Sequence, residues 1–188
     1  MKIAITSDVH NNEVNLKKVL TLCAKEKVEA LICCGDLSSK EVLDFLNDNF
    51  SGKIYFTYGN ADYDDLTDLW TGSKKTRVSG SDEKVTYRNT FIYKDFGEAI
   101  VEGKVVGFVH YPDMAKSLAR TGKYDFVFYG HTHKPWITEA SAQETPNKEC
   151  TLLNPGTTGG EIYPPTFAIW DTAKTDNAFQ LIRIHSLK

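Results

Sequence analysis

An apolar run at residues 125–129 stops at Gly130-His131-Thr132-His133, which puts two imidazoles one residue apart where a buried strand would end. Such pairs are poor core material but good metal ligands. The pattern recurs. The run that starts at Lys2 ends in Asp8-Val9-His10, the next in Gly35-Asp36, the third in Gly59-Asn60-Ala61-Asp62, and a predicted hairpin in His110. Carboxylates, imidazoles and an amide oxygen suit a borderline divalent ion such as Mn, Fe, Co, Ni or Zn. From extended backbone, Asp-x-His and His-x-His would aim both side chains to one side. Glycines before Asp36, Asn60 and His131 allow sharp turns and close approach. Four of the five histidines sit at these ends; the fifth, His185, lies in the C-terminal tail. Asp8, His10, Asp36, Asn60, His110, His131 and His133 exceed what one tetrahedral ion needs and suit two ions sharing a bridging carboxylate.

These residues meet only if the elements that carry them end at one edge. Residues 2–8, 29–36 and 53–60 read as buried strands. Between the first two, Leu16, Val19, Leu20 and Cys23 fall at i, i+3, i+4 and i+7, the stripe of an amphipathic helix. Between the second and third, Ser38 and Glu41 form the pattern of a capping box opening a helix that closes near Gly52. Strand–helix–strand–helix–strand with short loops predicts parallel pairing, which places ligands outside the carboxyl ends of the strands. Residues 98–111 predict a hairpin turning at Glu102-Gly103-Lys104, and Pro112 to Gly122 bracket a helix. Residues 125–129, 150–154, 166–171 and 179–185 read as further strands. Residues 71–90 are polar and read as an insertion or loop.

The totals bound the function. The chain of 188 residues is 41% hydrophobic and 25% charged, with a formal net charge of -3. That is an ordinary globular balance without the basic footprint of a protein that stays on nucleic acid. A small phosphate ester or nucleotide is allowed, since bound ions can supply the positive charge locally. Cys33 and Cys34 are neighbours in an apolar run and read as small buried hydrophobes on opposite strand faces. The absence of CxxC or dense cysteine spacing, of a signal-type leader and of any membrane-length apolar run predicts a cytoplasmic protein with no membrane partner.

Taken in order, Asp8-x-His10, Gly35-Asp36, Gly59-Asn60, His110 and Gly130-His131-Thr132-His133 resemble the calcineurin-like metallophosphoesterases, and more narrowly the small bacterial and archaeal phosphodiesterases of that superfamily. The resemblance covers roughly residues 1–160 and a C-terminal pair of strands. It implies an α/β fold, a four-layer αββα sandwich, with residues 1–188 as a single metallophosphoesterase domain. It implies one ion on Asp8, His10, Asp36 and His133 and a second on Asp36, Asn60, His110 and His131, with manganese preferred over nickel, iron, cobalt or zinc. Asp36, Asn60 and His110 would take part in catalysis, with a hydroxide bridging two ions about 3.5–4 Å apart as the nucleophile. The chain departs from the family pattern twice. Ala61 stands where the family usually has His or, in some small members, Cys. Tyr111, not Gly, follows His110 and becomes a candidate for substrate contact.

Competing expectations accompany this reading. The same fold serves a retromer subunit as a protein-binding scaffold with degraded ligands, whereas here every ligand position keeps ligating chemistry. A metallohydrolase acting on another ester would use the same ions. Residues Asn154–Gly160 fit either a plain turn or a loop near the site. Asp62, Asp64 and Asp65 read as the solvated start of a helix, and Arg120 and Lys134 as solvated cations able to reach a phosphate. A homodimer is allowed, with Trp70 or Trp136 read as exposed and available to an interface.

Overall fold

The computed structural model describes residues 1–73, 75–77, 83–141, 149–174 and 179–183. Ile184 and His185, the last two residues of the predicted final strand, lie outside them. In chain order the elements are β1 (Lys2–Thr6), α1 (Glu13–Glu26), β2 (Ala30–Cys33), α2 (Lys40–Asn49), β3 (Lys53–Thr57) and α3 (Tyr63–Thr71). There follow β4 (Thr76–Arg77), β5 (Glu83–Tyr87), β6 (Thr90–Tyr93), β7 (Phe96–Val101), β8 (Lys104–Val109) and α4 (Pro112–Arg120). The chain finishes with β9 (Phe126–Phe128), β10 (Trp136–Ser141), β11 (Glu149–Asn154), β12 (Thr166–Asp171) and β13 (Phe179–Arg183).

Two sheets result, ordered β13-β12-β1-β2-β3-β6-β5-β4 and β10-β11-β9-β8-β7. β1, β2, β3 and β6 run parallel, and so do β8, β9 and β11. Alternation along β1 and β2 sorts their side chains between two cores. Ala4, Leu31 and Cys33 face the helical layer and pack with Leu16, Val19, Leu43, Leu46 and Leu66. Ile3, Ile5, Ala30, Ile32 and Cys34 face the second sheet and meet Val106, Phe108, Phe126, Phe128 and Leu153. Beyond that sheet, α4 packs Ala115 and Ala119 on Val109, Val127 and Leu152. The predicted four-layer αββα sandwich is therefore present, and Cys33 and Cys34 do point to opposite faces. Each large aliphatic or aromatic side chain so buried contributes about 1.5–3 kcal/mol.

Helix α1 buries the predicted stripe of Leu16, Val19, Leu20 and Cys23, and stops at Lys27, whose left-handed backbone sends its N–H back to Ala24. Proline opens α4, as predicted. Three expectations need correction. The cap of α2 is Ser39, which accepts the Val42 N–H at 3.4 Å; Ser38 lies outside the helix with φ 78° and donates its N–H to Asp62, so no capping box with Glu41 forms. The 71–90 region carries β4 and β5, which extend the larger sheet past β6. Val85 is the buried residue of β5 and pairs with Ile92, a signal of one residue in polar surroundings. Trp70 is buried among Tyr58 and the helical core, whereas Trp136 is 54% exposed. Among the described residues no helix is long and apolar enough to cross a membrane.

Candidate metal centre

The loops after β1, β2 and β3 leave one sheet, and those after β8 and β9 leave the other. All five meet at the shared carboxyl edge. Backbone bonds stitch them together: Asp8 N–H reaches Gly35 O at 3.0 Å, Val9 and His10 N–H both reach Asp36 O, and Gly130 N–H reaches His110 O at 3.0 Å. The His131 N–H sits 3.1–3.2 Å from both Asp8 carboxylate oxygens. The backbone is not extended here. Asp8, His10, Asp36, His131 and His133 all have φ between 47° and 68°. The i, i+2 side chains thus converge from left-handed turns and not from strands, because cross-loop bonds such as Val9 N–H to Asp36 O hold those turns in place. A non-glycine residue in that region costs about 1–2 kcal/mol, and strain of this kind gathers at functional sites. The glycines matter by proximity: a methyl group on Gly35 would overlap the His110 ring, and one on Gly59 would overlap the Asp36 carboxylate.

Two groups of acceptor atoms form. In the first, His10 Nε2 lies 3.3 Å from His133 Nε2, and Asp8 Oδ1 lies 3.4 Å from His133 Nε2 and 3.9 Å from His10 Nε2. In the second, Asn60 Oδ1, His110 Nε2 and His131 Nδ1 lie 3.1–3.2 Å from one another. Asp36 Oδ2 joins them, 3.7 Å from His10 Nε2 and 3.4 Å from His110 Nε2. The other Asp36 oxygen accepts the Ala61 N–H at 2.8 Å. All seven residues singled out from the sequence therefore come together.

The neighbours fix which atoms face inward. A carbonyl can only accept, so His110 Nδ1 donates to Cys34 O at 2.8 Å, and Nε2 points into the site. Burial raises the Asp8 carboxyl above its ordinary range, with His110 partly opposing it. Burial also acts on Asp36, but the hydrogen bond and charge of His110 outweigh it and leave its pKa lowered; the same pairing raises His110 against its own burial. Lone pairs thus converge without enough donors between them, and only protons or cations relieve that repulsion. Bonds of about 2.0–2.2 Å to one ion hold its ligand atoms roughly 3–3.5 Å apart, close to the spacings found here. The residues present fit divalent metal ions.

Tyr111 is partly exposed and sets its ring edge-on to His110 and His131, with centroids 5.0 and 5.1 Å away. The Asn154–Gly160 segment is a site loop and not a free turn. Thr157 Oγ1 donates to Asp8 O, Gly159 N–H reaches Asp8 O at 2.8 Å, and Asn154 Nδ2 bonds Gly130 O and Thr132 Oγ1. Arg120 and Lys134 are exposed, as read. Two residues were not foreseen. Asp62 is fully buried, not solvated. It accepts the N–H groups of Asp36 and Gly59 at 2.7 Å and of Ser38 at 2.8 Å, tying the second loop to the third; burial pushes its pKa up to about 6 against those donors. Glu161 brings a carboxylate oxygen within 3.9 Å of His10 Nε2. Asp62 could have been found from its place directly after Gly-Asn-Ala at a strand end. Glu161 has no such signal.

Comparison with known proteins bears on the same residues. Residues 1–175 match the family model described as the calcineurin-like phosphoesterase superfamily domain. The phosphodiesterase MJ0936 of Methanocaldococcus jannaschii is 28% identical over 179 residues, which cover 94% of this chain and 96% of that protein. A solved structure characterised as a novel archaeal phosphodiesterase superposes with a TM-score of 0.72 at 26% identity, over 97% of this chain and 99% of that one. The zinc complex of Vps29 from Entamoeba histolytica shares the fold, with a TM-score of 0.59 at 17% identity over 98% of each chain. The chain belongs to the calcineurin-like phosphoesterase superfamily, the metal-dependent phosphoester hydrolases that its motifs resemble.

Proposed function

We propose that the protein is a phosphodiesterase that works with two divalent ions, and that residues 1–188 form one domain for this purpose. The observation that carries the reading is the position of Asp36 Oδ2, which joins two groups of acceptors through one carboxylate. Asp8, His10, Asp36 and His133 would hold one ion, and Asp36, Asn60, His110 and His131 the other. Such ions, with manganese as the first choice, supply Lewis acidity toward the phosphoryl oxygens and toward a water nucleophile. The chain's own residues do the rest. Asp8 and Asp36 offset cationic charge, and Asn60 contributes a neutral oxygen. Cys34 O holds His110 in the tautomer that leaves Nε2 free. Tyr111, edge-on to His110 and His131, would contact a bound ester. The phosphodiesterases among its relatives support the choice of diesters over monoesters.

The test is hydrolysis of bis(4-nitrophenyl) phosphate against 4-nitrophenyl phosphate and 4-nitrophenyl acetate, with manganese added and then chelated. Diester turnover that exceeds both others and stops on chelation is expected. Preference for the acetate would establish a different esterase, and no turnover of any substrate would leave a scaffold.

A further inference from the structure

We propose that the cleft next to the donor groups, lined by Tyr129, Thr132, Lys134, Trp136 and Tyr163, receives an aromatic ring of the substrate, so that the natural diester carries a nucleobase. The inference rests on the phosphodiesterase reading and names the substrate class for it. The cleft borders the site along two stretches of chain. Thr132 stands between His131 and His133, and Tyr163 follows two residues after Glu161, whose carboxylate lies 3.9 Å from His10 Nε2. Its volume of about 360 Å³ falls within the roughly 300–1,000 Å³ of small-molecule pockets. Three of its five lining side chains are aromatic. Trp136 and Tyr163 are 54% and 38% exposed, so their rings are open to a partner rather than spent on the core.

Lys134 adds a cation at the same place, with Nζ 5.6 Å from the centre of the Trp136 ring, and makes no ion pair among the described residues. Aromatic faces beside a cation that has no ion pair among the described residues match the chemistry of a base joined to phosphate. Stacking of one base on an aromatic side chain is worth roughly 5- to 150-fold in affinity. A second cleft that uses Trp136, of about 330 Å³, is lined by Pro135, Ile137, Leu153, Asn154 and Phe179, none of them a cation.

Titration calorimetry on the manganese-loaded protein, with adenosine 5′-monophosphate and ribose 5-phosphate, isolates the base. The mononucleotide is expected to bind at least tenfold more tightly. Trp136→Ala should remove most of that advantage and leave ribose 5-phosphate binding unchanged. Trp136→Phe should keep most of it, and Ile137→Ala, on the other cleft, should keep all of it. Equal binding of the two ligands by the wild type overturns the proposal, and so does an advantage that survives Trp136→Ala. Because the readout is binding, base-selective binding in a protein that cleaves no diester would refute the phosphodiesterase reading while retaining the aromatic cleft.

Discussion

His110 and Asp36 lie 3.4 Å apart in the centre, and their pairing sets a pH dependence. His110 is raised above 6.5, so its contribution to the stability of metal-free protein is complete below 6.5 and lost as pH rises through the folded value. Asp36 is lowered below 3.8, so its contribution is present above 3.8 and lost as pH falls through the lower folded value. Metal-free protein should therefore gain most from this pair between about pH 4 and 6.5. Metal binding runs the other way, since His110 must give up that proton first. As pH is lowered, manganese affinity, measured by competition with a fluorescent chelator, should already begin to fall above pH 6.5 and should drop steeply by pH 5.5; a flat profile over that range contradicts the pairing. Ala61 sets a second expectation. Its N–H serves Asp36, but its methyl group has no proton for a departing oxygen, and both Asp62 oxygens are already taken by backbone donors. Proton donation of this kind is typically worth about 10²–10⁴-fold. Rates across a series of aryl phosphodiesters should depend steeply on leaving-group pKa, and Ala61→His should flatten the slope. A shallow slope unchanged by the substitution would point to another donor.

At the scale of elements, five loops have to be held together, three of them with left-handed backbone, and Asp62 clasps the second loop to the third. Removing its carboxylate would leave two buried N–H groups, of Asp36 and Gly59, unpaired at about 1–3 kcal/mol each, and a half-buried one at Ser38. Asp62→Ala should therefore lower unfolding free energy by at least about 2 kcal/mol in urea titrations. It should also weaken manganese binding, although Asp62 is not among the seven candidate ligands. A loss below about 1 kcal/mol would show that the loops are held elsewhere. The sequence made the elements legible where periodicity was long, as in α1 with Leu16, Val19, Leu20 and Cys23. It also showed all seven candidate ligands, because His, Asp and Asn at strand ends stand out against apolar runs. It hid what depends on backbone dihedrals and cross-loop bonds: the left-handed turns at Asp8 and His131, the role of Asp62, and the capping choice of Ser39 over Ser38. Strand β5 was hidden for another reason, since its burial rests on Val85 alone.

The whole molecule is a device for stacking two parallel strand sets face to face with their carboxyl ends together. β1, β2 and β3 deliver Asp8, His10, Asp36 and Asn60 from one sheet; β8 and β9 deliver His110, His131 and His133 from the other. The core between the sheets, from Ile3 and Ile32 to Phe108 and Phe128, keeps those ends in register. Neither sheet alone holds a full ligand set, so metal binding reports on the packing of both. The central claim is a two-ion centre joined through Asp36. Metal analysis of chelator-stripped protein reloaded with manganese and desalted tests it most directly, alongside Asp36→Asn. Two manganese ions per chain are expected in the wild type. In Asp36→Asn, both sites should weaken together, and diesterase turnover should fall by at least 100-fold. A single ion per chain, or a variant that still holds two, would contradict the account.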